Sequence, residues 1–335
     1  MHDNPRRARR SAAVAALLFS LLSIDPVSAQ PTTLKVGISE PVNTVLAIWM
    51  ADAAGRYEAN GLKIEIVNMS GGSRGAAALA AGDIDAMHVG LSSVVRLNRT
   101  GADLRVIAAL ANVIRFTFFA APGVRTAADL KGGAVGVSSF GSESDVIVGP
   151  ALQRLGLARN DVVLKEYGGS TSRLAAVMSG EIKATALNEP VASMAREQGV
   201  HVLVDFVPER VPWLFTAIVT TRGAIETRRD VLTRFIKATV EGNTLALSDE
   251  PRAKAVLAER AAIRDPKILD ISYNDFKQLS PSDLMPTRAA ADNILAQFPG
   301  ASRNLNDYID VRILDGLRDT GALTGSSSTR VDRTK

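Results

Sequence analysis

The chain contains no cysteine among its 335 residues. Disulfides, thiol nucleophiles and cysteine-ligated metals are therefore excluded, as is a lipid anchor on a lipobox thiol. Histidine is almost as scarce, with His2, His88 and His201 alone, and these show no metal-ligand spacing. Neither a metal nor a cofactor is expected. Charge is nearly balanced, 39 basic against 35 acidic residues, too little and too scattered an excess for a nucleic-acid partner. No stretch approaches the ~20 apolar residues of a membrane span.

The longest apolar run, Ala12 to Leu22, is broken by Ser20 and follows Arg6, Arg7, Arg9 and Arg10. Pro26 and the small-residue site Val27-Ser28-Ala29 come next. A basic start, a short apolar stretch and small residues before a cut make a secretory signal peptide, residues 1–29, cleaved after Ala29. Its four arginines and two aspartates leave 35 basic and 33 acidic residues on the mature chain. Export without an anchoring cysteine predicts a free periplasmic protein. The arginine pair leaves both general and twin-arginine export open. The stretch 323–335 reads as a disordered tail.

Between these ends the hydrophobic content is 46%, enough for an ample core in a chain longer than one typical domain. Leu34, Val36 and Ile38 alternate with polar or small residues and predict a strand. Asn43 or Thr44 caps a helix to Ala54, and Ile64 and Ile66 mark a second strand. A third begins at Asp83-Ile84-Asp85, a helix runs from Ser92 to Arg99, and Leu104 to Leu110 is another strand. This alternation predicts an α/β fold. After Ala224 the pattern is mostly helical: Thr227–Leu247, Pro251–Ala262, Tyr273–Leu279, Pro286–Phe298 and Leu305–Arg318.

One unit occurs twice. Gly71-Gly72-Ser73 leads through a short helix to Gly82-Asp83-Ile84-Asp85-Ala86. About 100 residues later Gly168-Gly169-Ser170 leads to Gly180-Glu181-Ile182-Lys183-Ala184. A doubled turn, helix, glycine stop and strand predicts two related lobes with a cleft between them. In open α/β sheets, ligands sit beyond the carboxyl ends of strands, where helix N-termini offer free N–H groups. Three loops fit: Ser39 to Asn43, Ser70 to Ser73, and Ser138 to Ser144.

In order and wording these segments resemble the SsuA-like branch of ABC-transporter periplasmic solute-binding proteins (nitrate, sulfonate, taurine, bicarbonate and thiamine-precursor binders). The residues that carry the resemblance are Leu34 to Ile38, Ala54 to Leu62, Gly71 to Ala86, Asp129 to Val137, Ala151 to Leu157 and Asn188-Glu189-Pro190. The resemblance implies a two-lobed type II periplasmic-binding fold, each lobe a mainly parallel sheet flanked by helices. Lobe 1 would be 30–115 with 212–322, and lobe 2 would be 116–211. It implies a small-molecule solute, an ABC permease with its ATPase as partner, a monomeric state and no catalysis.

Carried onto this chain, the family pattern puts ligand contacts at Val42, Asn43, Gly72, Ser73, Ser92 in the segment after His88, Ser139, Phe140, Gly141, Ser142, Glu143, Ser144, Asn188 and Glu189. His88, at the cleft end of its strand, could hydrogen-bond a ligand or serve as a structural histidine, and Phe140 could contact ligand or pack between lobes. Trp213, beside Pro212, could stack on a planar ligand or pack between lobes. Glu143 opens a helix and fits a first-turn dipole partner, which leaves Glu189 as the better acidic contact. An acidic contact suits a heterocycle or amine over a bare oxyanion. Arg115 could pair a ligand carboxylate or staple the crossover. Two enzyme families share the fold: a pyrimidine-precursor synthase, which carries a cysteine cluster absent here, and chorismate dehydratases, which lack export signals. A periplasmic ligand sensor is the third alternative. The zinc-protease motif H-E-x-x-H and the phosphate loop G-x-x-x-x-G-K-[ST] are absent, and Gly71 to Gly75 is no dinucleotide fingerprint.

Overall fold

The computed structural model describes residues 31–321; the expected signal peptide and tail lie outside the described residues. Two five-stranded sheets dominate. The first takes β1 (Thr32–Ile38), β2 (Leu62–Asn68), β3 (Ala86–Val89), β4 (Leu104–Val113) and a late strand. The chain then builds the second from β5 (Thr117–Ala120), β6 (Ala134–Val137), β7 (Val163–Glu166), β8 (Ala184–Leu187) and β9 (His201–Asp205). It returns as β10 (Pro212–Thr221). Among the described residues, those from Thr32 to Gly321 form one compact unit.

The strand orders are β2-β1-β3-β10-β4 and β7-β6-β8-β5-β9. β1 pairs parallel with β2 and β3, while β10 runs antiparallel to β3 and β4. In the second sheet β6 pairs parallel with β7 and β8, while β5 runs antiparallel to β8 and β9. Four strands in each sheet therefore point one way and one points back. In each sheet the reversed strand directly adjoins a passage between the two. The doubled turn-helix unit falls at equivalent places, after β2 and after β7.

The periodicities explain the elements. Leu34, Val36 and Ile38 of β1 are buried, whereas β4 from Leu104 to Ala111 is buried without a break. Such runs suit strands covered on both faces. Asp83 to Asp85 lead into β3 and do not begin it. Asp85 instead ties down β1, its carboxylate accepting the Lys35 N–H at 2.8 Å. The helix expected from Tyr273 begins at Pro266, with Asp265 capping the N–H groups of Lys267 and Ile268. The expected 305–318 helix divides into a short turn and Arg312–Asp319, because Ile309 bridges to Val106 of β4. No helix among the described residues is long and apolar enough to cross a membrane.

Candidate functional site

A cleft of about 480 Å³, part of it open to solvent, lies where the two sheets face each other. The chain reaches it at the carboxyl ends of strands from both sheets. After β1 come Ser39, Glu40 and Val42; after β2, Gly71 and Gly72; after β3, Gly90. From the second sheet come Ser138, Ser142, Glu143 and Ser144 after β6, Gly169 after β7 and Asn188 after β8. Phe116, Phe215 and Thr216 line it beside the crossing strands. This is the position at which α/β sheets bind ligands.

The wall after β6 is a ring of hydroxyls. Ser138 Oγ donates to Ser142 Oγ at 2.8 Å, Ser144 Oγ donates to Ser138 Oγ at 3.0 Å, and Ser142 and Ser144 lie 3.0 Å apart. In the same lining the Phe116 and Phe215 rings meet edge to face, centroids 4.8 Å apart, an arrangement that favours a fixed apolar wall. The Thr216 hydroxyl is buried without a hydrogen-bond partner. Among the described residues no group of acidic and histidine side chains could hold a metal.

Two glutamates cross the cleft. Glu40, on the first lobe, accepts the Ser170 N–H at 2.6 Å at the start of the helix Ser170–Met178. Glu143, on the second, accepts the Ser92 N–H at 2.8 Å in the first turn of the helix Leu91–Asn98, and the Trp213 Nε1–H at 2.7 Å. Each lobe thus caps a helix of the other. Glu143 is therefore not a dipole partner of its own helix, which is only one turn long (Glu143–Val146). Burial pushes its carboxyl up to about 7, although the Trp213 and Ser92 donors pull it down.

Of the residues expected at the site, Val42, Gly72, Ser142, Glu143, Ser144 and Asn188 line the cleft. The others have different surroundings. Asn43 is buried and donates to the Ser272 carbonyl and the Asp275 carboxylate. His88 sits behind the wall, Nε2 3.0 Å from Thr44 Oγ1 and Nδ1 3.4 Å from Ser39 Oγ; burial lowers its pKa to about 4, so it is neutral. Ser92 takes part through its N–H to Glu143. Ser139 bridges the lobes, its Oγ accepting the Ser73 N–H at 3.4 Å. Phe140 is 43% exposed and outside the cleft, its N–H donating to Glu166. Gly141 packs on Arg96 of the first lobe, where a Cβ would stand 2.0 Å from Cδ.

Glu189, joined to Pro190 by a cis peptide bond, turns away from the cleft to Arg196 at 3.2 Å and the Ser193 N–H. Trp213 is 3% exposed and spends its N–H on Glu143, so no ring face is open for stacking. Arg115 is taken by Asp275 at 2.6 Å. Gly71 to Gly75 also has the G-x-S-x-G spacing of a hydrolase nucleophile turn, at a strand-to-helix junction. The Ser73 hydroxyl has no partner at all, hence no base. Gly90 also lines the cleft, and its signal in the sequence is a glycine directly before a predicted helix.

Comparison with known proteins gives relatives of several kinds. The riboflavin-binding protein RibY of Chloroflexus aurantiacus is 28% identical over 166 residues, 48% of this chain and 46% of RibY; the match spans about half of each. Two solved structures show the same fold. The alkanesulfonate-binding protein SsuA of Xanthomonas axonopodis pv. citri, bound to MOPS, has a TM-score of 0.68 at 21% identity over 83% of this chain and 97% of its own. The desulfurization enzyme DSZB has a TM-score of 0.61 at 15% identity over 87% and 99%. Residues 43–253, well over half of the chain, match one family model, and the chain belongs to the NMT1/THI5 like family.

Proposed function

We propose that this protein is the periplasmic solute-binding component of an ABC importer. It captures a small organic solute between its lobes and delivers it to a permease with its ATPase. One observation carries the reading: the cleft takes its walls from both sheets, so a bound molecule touches both lobes at once. Such a molecule favours the closed arrangement by its differential affinity for it. The expected division into 30–115 with 212–322 and 116–211, the leader ahead of them and a monomeric state all belong to this proposal.

The wall chemistry narrows the solute. Serine hydroxyls, the Asn188 amide and the unpartnered Thr216 hydroxyl offer hydrogen bonds, and Phe116 and Phe215 offer an apolar face. A small heterocycle carrying polar substituents uses both. The similarity to a riboflavin-binding protein supports that class.

Catalysis on the shared fold is the second reading, favoured by the likeness to a desulfurization enzyme. The described cleft lining holds no histidine, and the chain has no thiol to offer. A thermal-shift screen over sulfonates, oxyanions, aromatic acids, pyrimidines and flavins tests the binding reading. A cognate solute raises the melting temperature and lowers the radius of gyration in solution scattering. Stabilisation by no compound of any class overturns it.

A further inference from the structure

Arg173 lies fully buried in the second lobe, in the first turn of the helix Ser170–Met178. Its guanidinium sits against the N-terminus of that same helix. Nη2 donates to Ser170 Oγ at 2.8 Å and to the Ala186 carbonyl at 3.4 Å, Nη1 donates to the Gly168 carbonyl, and Nε has no partner. Every one of these acceptors is neutral. A buried cation without an anion is costly, and the anion here comes from the other lobe. Glu40 Oε1 stands 3.8 Å from Nη2, while Oε2 takes the Ser170 N–H.

The parts of an anion site are therefore in place: a buried guanidinium, a helix N-terminus that its own N-cap residue Gly169 leaves without a side-chain cap, and Gly169 on the cleft wall. Glu143 at the other crossing is different. It bonds only to neutral donors, and among the described residues it forms no ion pair.

We infer that Arg173 and the N-terminus of the helix Ser170–Met178 form an anion subsite of the cleft, that Glu40 fills it from within the chain, and that a carboxylate, sulfonate or phosphate group on a solute takes the place of Glu40. Glu40 then sets how readily the cleft accepts acidic solutes. A tethered carboxylate competes at high effective concentration, so a weak external anion loses to it. The inference rests on the reading of the cleft as the solute site, but its test needs no natural solute.

The mature chain and its Glu40→Ala variant are titrated with sulfate, by calorimetry and by amide shifts. The variant binds sulfate at least tenfold more tightly, with the Ser170 amide among the most shifted. Adding Arg173→Met removes the gain. Equal affinity in parent and variant overturns the inference, and so does a gain that survives Arg173→Met. If the double variant does not fold, the Ser170 amide decides: an unmoved signal overturns the subsite. A negative sulfate result leaves the solute screen standing, and a screen without hits leaves the sulfate result standing.

Discussion

The carboxylate of Glu143 rests against the Cα of Gly90 on the opposite wall, so close that a Cβ at residue 90 would lie 2.1 Å from Oε1. Gly90 has φ −81°, a conformation open to any residue, so this contact is what calls for glycine. Gly90→Ala pushes Glu143 from Ser92 and Trp213 and parts the lobes. The variant shows a larger radius of gyration and altered tryptophan emission. Trimming the intruding group in Gly90→Ala/Glu143→Ala returns the radius toward that of the parent. An unchanged radius in Gly90→Ala contradicts the account.

Glu143 also imposes a pH dependence. Its carboxyl rises from an ordinary 4.5 to about 7 on burial, so the folded state holds the proton more firmly than the unfolded chain. Its stabilising contribution is complete below 4.5, shrinks as pH rises through the window and is gone above about 7. His88 acts in the opposite sense. Burial lowers it from 6.5 to about 4, so its contribution is lost as pH falls through that range. Comparing the parent with Glu143→Gln isolates the glutamate. The parent gains on the variant by roughly 3 kcal/mol as pH falls from about 7 to 4.5. Melting curves across that range check it; a constant difference refutes it.

Arg115, at the first passage between sheets, gives Asp275 its Nε at 3.1 Å and Nη2 at 2.6 Å, and Asn43 donates to the same carboxylate oxygen at 2.7 Å. Asp275→Ala strands a guanidinium that is 2% exposed. The expected loss is about 3–5 kcal/mol, read from urea unfolding. Asp275→Asn keeps an acceptor and loses less.

The two-lobed fold was legible because its signals are local: alternation at Leu34, Val36 and Ile38, and the repeated Gly-Gly-Ser turns. Half of the cleft followed, since the loops after β1, β2 and β6 could be located by strand ends alone. The partners could not be located that way. Glu40 meets Ser170 across 130 positions and Glu143 meets Ser92 across 51, and only docking of the lobes brings them together. Trp213 and Glu189 show the converse. Their residue types suit a ligand, but each is satisfied by a protein neighbour that sequence spacing alone does not single out. The Asp265-Pro266 start, by contrast, was a readable cap followed by a first-turn proline.

Two helical glycines separate packing from propensity. Gly242 lies in the helix Arg229–Ser248 where it meets Leu46–Ala53. A Cβ there would stand 2.4 Å from the Ala47 carbonyl oxygen and 2.5 Å from the Ala51 nitrogen. Those are backbone atoms, so no rotamer relieves the clash and the helices must separate. Alanine gains about 1 kcal/mol in helix propensity, but overpacking costs about 1–3 kcal/mol or more, so Gly242→Ala destabilises. Gly316, exposed in Arg312–Asp319 and followed by no proline, has nothing within 4 Å of the same added atom. Propensity governs there, and Gly316→Ala stabilises by about 0.5–1 kcal/mol. Denaturant midpoints for the two variants should move in opposite directions; a shift of the same sign in both would mean that contact with Ala47 does not govern residue 242.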